Sequence, residues 1–422
     1  MNGLSRTLTA YTIAGTVFAI AALGAAQAQE RKLDVRVGWN PFAGSTPITA
    51  IMIDRKLFEE EARAFGYDLE VEWLQFVGGA PPANAALVAD RLDIDVDFGS
   101  AAIVTRIKQD IPVLVFGIHA SHLSNAVVVR PGSEIDDFAK LAGKTVGLPI
   151  ATSAHYTLAS ILKYQTGKSI SDLGINLVNM SPADAIGMPA GIDAGGVWVP
   201  FRFMDETLGT AALLGDSSGF AGAGHHSPGA RFPGIEEAWG YPEGYLVDRL
   251  YLSARRAFAD QHPDLLTAFL RARVRAQEMA TQDVDAALEV ANEWWKLDAG
   301  VAARARDTYP ENTNIRNAPF VLEYDALAVV KTSEFFASIG AIDTPVTWDE
   351  VLAIMTPTAD MQRAAWENGG SVPSVAEMEG HFHGSNPTWP TLVIAGGAPI
   401  WTIDETPDWG RRQYKAGPFL VD

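Results

Sequence analysis

Small hydroxyl residues stand at the start of a predicted helix in the segment Gly143–Leu158. The apolar residues Val146, Leu148 and Ile150 alternate, which predicts a short strand, and Thr152-Ser153 are good N-cap residues for the helix that follows. A helix N-terminus that opens at the end of a strand presents unpaired N–H groups and a partial positive charge. The chemistry that fits is the binding of a small anion such as a sulfonate, sulfate, nitrate or carboxylate.

Three turns earlier in the chain also lie between a predicted strand and a predicted helix. Together they support the prediction of an anion site, which the turn at Thr152-Ser153 alone does not. Apolar residues alternate at 33–37, at 69–73 and at 94–98, which predicts three strands, each followed by a helix. This succession is typical of an α/β sheet with mainly parallel strands, in which ligands bind at the carboxyl ends of the strands. The turns at those ends are Trp39-Asn40, Gly78-Gly79 and Gly99-Ser100-Ala101.

A second group of candidate residues follows further along the chain. Ser181–Ala185 has the pattern of an N-cap and a short helix, and Ile192–Ala194 opens a strand. Trp198–Phe201 places an aromatic pair at the end of that strand, facing the same cleft as Thr152-Ser153. A role in the apolar core is the alternative for these aromatic side chains. The candidates for an apolar wall beside an organic tail are Trp39, Phe42 and Phe201.

Residues 1–28 have the organisation of a cleavable secretory signal. Arg6 is their only charge, an apolar run extends over Ala10–Leu23, and Ala26–Ala28 is a small-x-small cleavage site. The alternative is an N-terminal membrane anchor, which needs about 20 apolar residues, more than this run provides. The chain has no cysteine, which excludes a lipoprotein anchor, a disulfide and a thiol nucleophile. We therefore expect a free protein of the periplasm with no stable membrane insertion.

The formal charge of −19 over 422 residues argues against nucleic acid or an anionic membrane as a partner. It does not exclude a small anion, since local dipoles hold such ligands. Asp93, Asp95 and Asp97 alternate without the glycine turn and later glutamate of a calcium loop, and they are predicted to form a solvated strand face. His225-His226 and His381-x-His383 lack the usual spacing of metal ligands. The sequence also has no nucleophile elbow and no phosphate loop, so we expect no metal, no cofactor and no catalytic residue.

Taken in order, these motifs resemble those of the solute-binding proteins of ABC importers for taurine, alkanesulfonates and nitrate. The likeness extends over roughly residues 33–350. The residues that carry it are Val37-Gly38-Trp39, Gly78-Gly79, Gly99-Ser100, Leu141–Gly147, Ser153-Ala-His-Tyr156, Ser181–Ala185, Ile192–Ala194 and Trp198-Val-Pro-Phe201. The resemblance implies a two-lobe α/β fold of the type II periplasmic binding protein kind, with two crossings between the lobes and the ligand clamped in the interlobe cleft.

The resemblance also implies domain boundaries. The two crossings are expected at Leu123–Ala126 and Val247–Leu250, so that the first lobe resumes after the second. The predicted divisions are the signal at 1–28, lobe 1 at 29–123 and 250–354, lobe 2 at 124–249, and an extension at 355–422. The extension is rich in Trp, Pro and Gly and is expected to pack on the body.

Two positions bear on the ligand. In nitrate-binding relatives a histidine at the place of His155 touches the anion, so the resemblance implies a ligand role; the alternative is a histidine that hydrogen-bonds its own turn. Relatives often carry an acidic residue where this chain has Val199, so an amine-bearing ligand such as taurine loses a partner here and an unsubstituted sulfonate is favoured. The predicted ligand-binding residues are Trp39, Asn40, Phe42, Gly78, Gly79, Ser100, Ala101, Thr152, Ser153, His155, Tyr156, Trp198 and Phe201.

The function that the resemblance implies is that of a monomeric periplasmic receptor, not an enzyme, which delivers a small anionic ligand to an ABC permease of the inner membrane. Two other classes of protein stay open. One is a secreted enzyme on the same scaffold, a hydrolase or a thiamine-precursor-type synthase, with His155, His119 or His122 as the general base. The other is a ligand sensor subunit that uses the extension as its docking surface.

Overall fold

The computed structural model describes residues 31–77, 79–121, 125–216, 249–303, 323–355, 391–395 and 398–402. In this part of the chain two five-stranded sheets and their helices form two lobes, and two further strands form a separate hairpin. The strands are β1 (Arg31–Trp39), β2 (Tyr67–Gln75), β3 (Ile94–Phe98), β4 (Val113–Ser121), β5 (Asn125–Val129), β6 (Thr145–Leu148), β7 (Asn176–Asn179), β8 (Ala194–Trp198), β9 (Ala212–Asp216), β10 (Arg249–Arg255), β11 (Thr391–Ala395) and β12 (Ala398–Thr402).

The helices belong to the connections between these strands and to the region after β10. They are α1 (Thr46–Asp54), α2 (Leu57–Arg63), α3 (Ala80–Val88), α4 (Ser100–Lys108), α5 (Ser153–Thr166), α6 (Pro182–Ile186), α7 (Phe201–Leu208), α8 (Arg256–Gln261), α9 (Pro263–Gln282), α10 (Val284–Trp295), α11 (Glu323–Ser338) and α12 (Trp348–Met355). None of the helices in the described residues combines the length and the apolar character that a bilayer span requires.

Lobe 1 is built on the sheet with strand order β2-β1-β3-β10-β4. β1 pairs in parallel with β2 and β3, whereas β10 is antiparallel to both of its neighbours. Apolar residues alternate along β1, where Val35, Val37 and Trp39 are buried, as half-buried strands require. The α/β sheet with mainly parallel strands is confirmed.

Lobe 2 repeats this arrangement with strand order β7-β6-β8-β5-β9. β6 pairs in parallel with β7 and β8, and β5 is antiparallel to β8 and β9. Ser181 caps α6, because its Oγ accepts a hydrogen bond of 3.2 Å from the backbone N–H of Asp184. The predicted cap and short helix are therefore confirmed.

Three elements differ in their bounds from what the sequence pattern predicts. The pattern over Ile48–Ala64 predicts one helix, but the structure has two, since Lys56 takes a left-handed backbone conformation with a φ of 50° between them. The first crossing, expected at Leu123–Ala126, overlaps β5, which begins at Asn125 because it pairs with β8. The pattern over Tyr245–Leu252 predicts a return strand, and in the described residues this strand is β10, from Arg249 to Arg255.

The helices after β10 pack against helices that follow strands of lobe 1. α9 contacts α1 and α2, and α11 contacts α4. The hairpin of β11 and β12 was missed from the sequence, although two glycines, Gly396-Gly397, separate two alternating segments, which is a hairpin signal. Several predictions lie outside the described residues: the signal at 1–28, the first half of each crossing, the paired histidines and the packing of most of the extension.

Candidate functional site: a cleft between the lobes

A cleft lies between the two lobes, at the residues that follow β1, β3, β6 and β8. It encloses about 650 Å³, counted with the solvent at its mouth. Lobe 1 contributes Asn40, Ala43, Gly44, Gly79, Ala80, Asp97, Phe98, Gly99, Ala101, Ala102 and Leu250. Lobe 2 contributes Asn125, Thr152, Ser153, Trp198 and Val199. The cleft is therefore at the strand ends where α/β sheets bind ligands.

Three helices begin at this cleft. α3 begins at Ala80 and α4 at Ser100, and their N-cap residues are Gly79 and Gly99, which have no side chain to satisfy the first N–H groups. α5 begins at Ser153 from the opposite lobe. Because the first turn of a helix has no intrahelical acceptors, the backbone donors of these helices are available to a ligand, and the helix dipoles favour an anion.

The three helix ends differ in their number of donors. Pro81 and Pro82 follow Ala80 in the first turn of α3, and proline has no N–H group. The donors at that end are therefore the N–H groups of Gly79 and Ala80 alone. α4 and α5 have no proline in their first turn, so they provide the larger sets of donors.

The hydroxyl groups of the predicted turn are held by the protein. Thr152 Oγ1 donates to the carbonyl oxygen of Pro149 at 2.6 Å, and Ser153 Oγ donates to Asn125 Oδ1 at 3.1 Å. Each hydroxyl has one proton, so in this arrangement the two oxygens present lone pairs to the cleft. An anion would thus bind mainly to the backbone N–H groups of the α5 N-terminus.

An aromatic cluster closes one side of the cleft and joins the lobes. Trp198 lines the cleft and its Nε1 donates to the carbonyl oxygen of Phe42 at 3.0 Å. Phe42 stacks on Phe201, with the ring centroids 5.6 Å apart and the planes at 28°. Phe42 and Phe201 therefore support the Trp198 wall from behind, since neither is among the lining residues.

Trp39 lies in the core of lobe 1. Its side chain is 1 % exposed and packs edge-on against Trp294, with ring centroids 5.1 Å apart. The Trp39 side chain therefore packs in the core, whereas the next residue, Asn40, lines the cleft. Ser100 also points away, because its hydroxyl pairs with the Tyr251 hydroxyl at 3.3 Å.

His155 and Tyr156 lie beside the cleft and are not among the lining residues. Nδ1 of His155 accepts a hydrogen bond of 3.2 Å from the Ala151 N–H, which is the bond within its own turn. Both rings pack on Phe335 of α11, with centroid distances of 5.3 Å for His155 and 4.8 Å for Tyr156. Burial lowers the pKa of His155 to about 4, so the ring is neutral at pH 7 and contributes no charge to anion binding.

The expectation that Asp93, Asp95 and Asp97 form a solvated face is wrong, because all three are buried. Helices cover both faces of a mainly parallel sheet, so the strand face that carries these aspartates is buried even though it is not apolar. Asp93 pairs with Arg36 and Arg255. Asp95 accepts hydrogen bonds from the fully buried Arg106 and from Ser253, and Asp97 lines the cleft.

The cleft also contains residues that sequence reasoning missed. Asp97, Asn125 and Leu250 are among them, together with Ala43-Gly44. For Asp97 a signal existed, since it lies near the end of a strand, two residues before Gly99. Gly78, another predicted ligand residue, lies outside the described residues.

Two α/β lobes with a cleft between them define a fold class, and the comparisons with known proteins agree with it. Residues 74–205, which extend from β2 to α7, match the model of the NMT1/THI5-like family. The resemblance to taurine- and sulfonate-binding proteins that the motifs predicted is confirmed by the relatives and the solved structure described next.

Two relatives show this likeness in sequence. The taurine-binding periplasmic protein of Escherichia coli (strain K12) is 25% identical over 242 residues, which are 56% of this chain and 63% of that protein, less than two thirds of its length. The putative aliphatic sulfonates-binding protein of Bacillus subtilis (strain 168) is 23% identical over 350 residues, which are 81% of this chain and 92% of that protein.

A solved structure shows the likeness of fold. The periplasmic aliphatic sulphonate binding protein SsuA from Escherichia coli matches with a TM-score of 0.57 at 18% identity. The match covers 75% of this chain and 91% of SsuA. The predicted periplasmic binding protein fold is thereby confirmed.

Proposed function

We propose that this chain is a periplasmic solute-binding receptor that delivers a small organic anion, of the aliphatic sulfonate class, to an ABC permease. The observation that carries the proposal is the convergence of helix N-termini from both lobes on one cleft. An acid group binds to these N–H groups, and Trp198 with the surrounding apolar residues contacts the organic tail. Relatives named for taurine and aliphatic sulfonates support this ligand class.

Binding without covalent chemistry is part of the proposal. The lining residues in the described part of the chain supply N–H donors, hydroxyl and amide oxygens and one carboxylate, Asp97. Catalysis by a nucleophile requires a base in hydrogen-bond contact with it. The hydroxyls of Thr152 and Ser153 instead donate to a carbonyl and to an amide oxygen. The relatives are likewise named as binding proteins.

The anion model is tested by substitution at the α5 N-terminus. Differential scanning fluorimetry with sulfonates, sulfate esters, nitrate and carboxylates first identifies a stabilising ligand. Ser153→Asp then places a carboxylate at the helix end, where it satisfies the backbone donors and competes with the ligand, so we expect at least a tenfold loss of affinity with little change in stability.

The matched control is Ser181→Asp at the N-cap of α6, a residue of the same lobe that does not line the cleft. It adds the same charge at a helix end and should leave the affinity unchanged. Equal affinity of Ser153→Asp and the parent protein would show that the α5 end does not bind the anion. Because the chain is strongly acidic, we also expect the association rate to rise with salt, as repulsion between protein and anion is screened.

Closure of the two lobes over the ligand is the conformational part of the proposal. The Trp198 Nε1 to Phe42 carbonyl bond and the Tyr156–Phe335 stack join the lobes directly. Small-angle scattering should show a smaller radius of gyration with saturating ligand than without it. Trp198→Phe removes the bond and keeps an aromatic wall, so it should weaken the compaction; an unchanged radius of gyration in the parent protein would contradict closure.

A further inference from the structure

Asp97 is the one ionisable side chain among the described residues that line the cleft. It is 4 % exposed and lies near the carboxyl end of β3, two residues before the N-cap of α4. Ala101 and Ala102, in the first turn of α4, line the same cleft. An anion bound at that helix end is therefore close to the carboxyl group, and an ionised carboxylate repels it.

The protein holds the Asp97 carboxyl group in a fixed position. The Ser45 hydroxyl donates to its Oδ1, and the backbone N–H of Asn40 donates to its Oδ2 at 3.2 Å. His119 Nε2 lies 3.5 Å from Oδ1 and also bonds Thr49 Oγ1 at 2.7 Å. Because these contacts keep the carboxyl group at the cleft, a proton relieves its repulsion of an anion more readily than a movement of the side chain does.

The charged groups of the surrounding elements do not neutralise Asp97. Asp95, on the same strand, is itself acidic, and Arg106 of α4 pairs with Asp95. Burial keeps the pKa of His119 on β4 well below its usual range, and the nearby Arg273 of α9 adds to the effect, so the ring is neutral. Arg273 donates to the backbone oxygen of His119 rather than to a carboxylate. The lobe 2 residues that line the cleft are all uncharged.

The neighbouring groups that titrate also leave the proton to Asp97. Nδ1 of His119 is buried without a hydrogen-bond partner among the described residues, so the one proton of the neutral ring belongs on Nε2. The Tyr251 hydroxyl of β10 lies 3.3 Å from the Ser100 hydroxyl, and a tyrosine is uncharged at neutral pH. Burial raises the pKa of Asp97 to about 7, and Asp95 adds to the effect, although the hydrogen bonds from Ser45 and Asn40 oppose it.

We propose that the receptor takes up a proton together with its anion, and that Asp97 is the residue that carries the proton. This inference rests on the proposed function, which places the anion at the helix N-termini. The protonated carboxyl group does not repel an anion, and its O–H group is a hydrogen-bond donor. By linkage, an anion that binds the protonated form more tightly also strengthens proton binding to Asp97. Capture of the anion is thus favoured at acid pH and its release at alkaline pH.

The pH dependence of affinity tests this proposal. The probes are ethanesulfonate and butanesulfonate, which stay ionised between pH 6 and pH 8, so that a change in affinity over this range belongs to the protein. In calorimetric titrations the affinity of the parent protein should fall roughly five- to tenfold from pH 6 to pH 8. Asp97→Asn has the shape of the protonated residue and no charge, so it should bind equally at both pH values and more tightly than the parent protein at pH 8.

The matched control is Asp193→Asn in lobe 2. Asp193 does not line the cleft, and its carboxylate accepts a hydrogen bond of 2.8 Å from the Thr145 N–H. This variant loses one negative charge, as Asp97→Asn does, and should keep the pH dependence of the parent protein. Equal loss of the pH dependence in both variants would assign the effect to net charge and contradict the role of Asp97.

Proton uptake gives a second measurement that needs no variant. Titrations with the same sulfonates at pH 7, in buffers of different ionisation enthalpy, should show uptake of about half a proton for each anion bound. The reason is that Asp97 is about half protonated in the free protein at this pH and becomes almost fully protonated in the complex. This measurement tests the proposal even where Asp97→Asn does not fold.

The outcomes separate this inference from the function on which it rests. If the sulfonates bind with equal affinity at pH 6 and pH 8 and without proton uptake, the role of Asp97 is wrong and the anion receptor stands. Proton uptake that persists in Asp97→Asn would likewise exclude Asp97 as the proton carrier. If neither sulfonate binds at any pH, the proposed function fails and this inference fails with it.

Discussion

Lobe 1 and lobe 2 have the same arrangement of strands, with one antiparallel strand next to the edge of each sheet, yet their buried charged residues lie in different places. In lobe 1, Asp93, which directly precedes β3, and Asp95 and Asp97 on β3 are all buried, and the first two pair with arginines. In the described part of lobe 2 the buried charged side chains, Arg202 and Asp205, lie on α7, whereas β5 and β6 bury apolar residues such as Val127 and Leu148.

This difference shows that topology and site chemistry are separate properties. Both lobes bring helix N-termini to the cleft, since that follows from strand order. Lobe 1 adds a fixed ionisable group, Asp97, whereas lobe 2 adds neutral groups, Thr152 and Ser153, and the Trp198 wall. Lobe 1 thus places an ionisable group at the cleft, and lobe 2 places hydroxyl groups and an aromatic wall there.

The largest expected effect is in the charged interior of lobe 1. Arg106→Met leaves the fully buried Asp95 carboxylate without the cation that donates to both of its oxygens. We expect the free energy of unfolding to fall by about 3–5 kcal/mol, because an uncompensated buried charge is strongly unfavourable. Urea denaturation measures it. The double variant Asp95→Leu/Arg106→Met should recover much of the loss, and failure to recover any would mean that packing rather than charge is responsible.

Two tryptophans at corresponding strand ends provide the next test. Trp39→Ala empties a buried site in lobe 1 and should lower the free energy of unfolding by about 3–5 kcal/mol. Trp198→Ala removes a cleft wall in lobe 2 and should weaken ligand binding by ~1–3 kcal/mol. Urea denaturation and calorimetric titration of both variants test whether Trp39 contributes to stability and Trp198 to ligand binding. An effect of Trp198→Ala on stability alone would assign both rings to the core.

The lobes should respond to pH with opposite signs. His155 in lobe 2 has a lowered pKa of about 4, so between pH 6.5 and 4 the unfolded chain binds the extra proton and stability falls as pH falls, by roughly 3 kcal/mol at most. Asp97 in lobe 1 has a raised pKa of about 7, so the folded chain binds the extra proton and stability falls as pH rises from about 4 to 7.

Single variants separate the two contributions. His155→Phe should flatten the loss of stability toward acid pH, and Asp97→Asn should flatten the loss toward neutral pH. Melting temperatures between pH 4.5 and 7.5 give the slopes. Parallel slopes for the parent protein and both variants would exclude these two groups as the source of pH dependence.

The smallest effect is expected at an exposed ion pair of lobe 2. Lys140 Nζ lies 2.6 Å from Asp136 Oδ1, and both side chains are more than half exposed. Lys140→Met should leave the urea midpoint unchanged, because water and salt screen such pairs. A shift as large as that of Arg106→Met would show that burial does not distinguish the charges of the two lobes.

Much of the fold was predictable because it depends on local patterns. Alternating apolar residues located β1, β2 and β3, and glycine or hydroxyl turns located the starts of α3, α4 and α5. The placement of Asn40, Gly79, Ala101, Thr152, Ser153 and Trp198 at one cleft follows from the rule that strand ends converge.

By itself the sequence determined the α/β class, the strand–turn–helix units and the helix ends that converge on a cleft. Only the tertiary structure decided that Trp39 belongs to the core and Trp198 to the cleft wall. It also decided that Asp97 is a buried residue of the cleft rather than part of a solvated strand face. The physical reason is that period-two spacing defines two faces of a strand but not what covers them. Helices from distant parts of the chain cover both faces of β3, and the second lobe meets the end of the first sheet, which leaves Asp97 at the cleft.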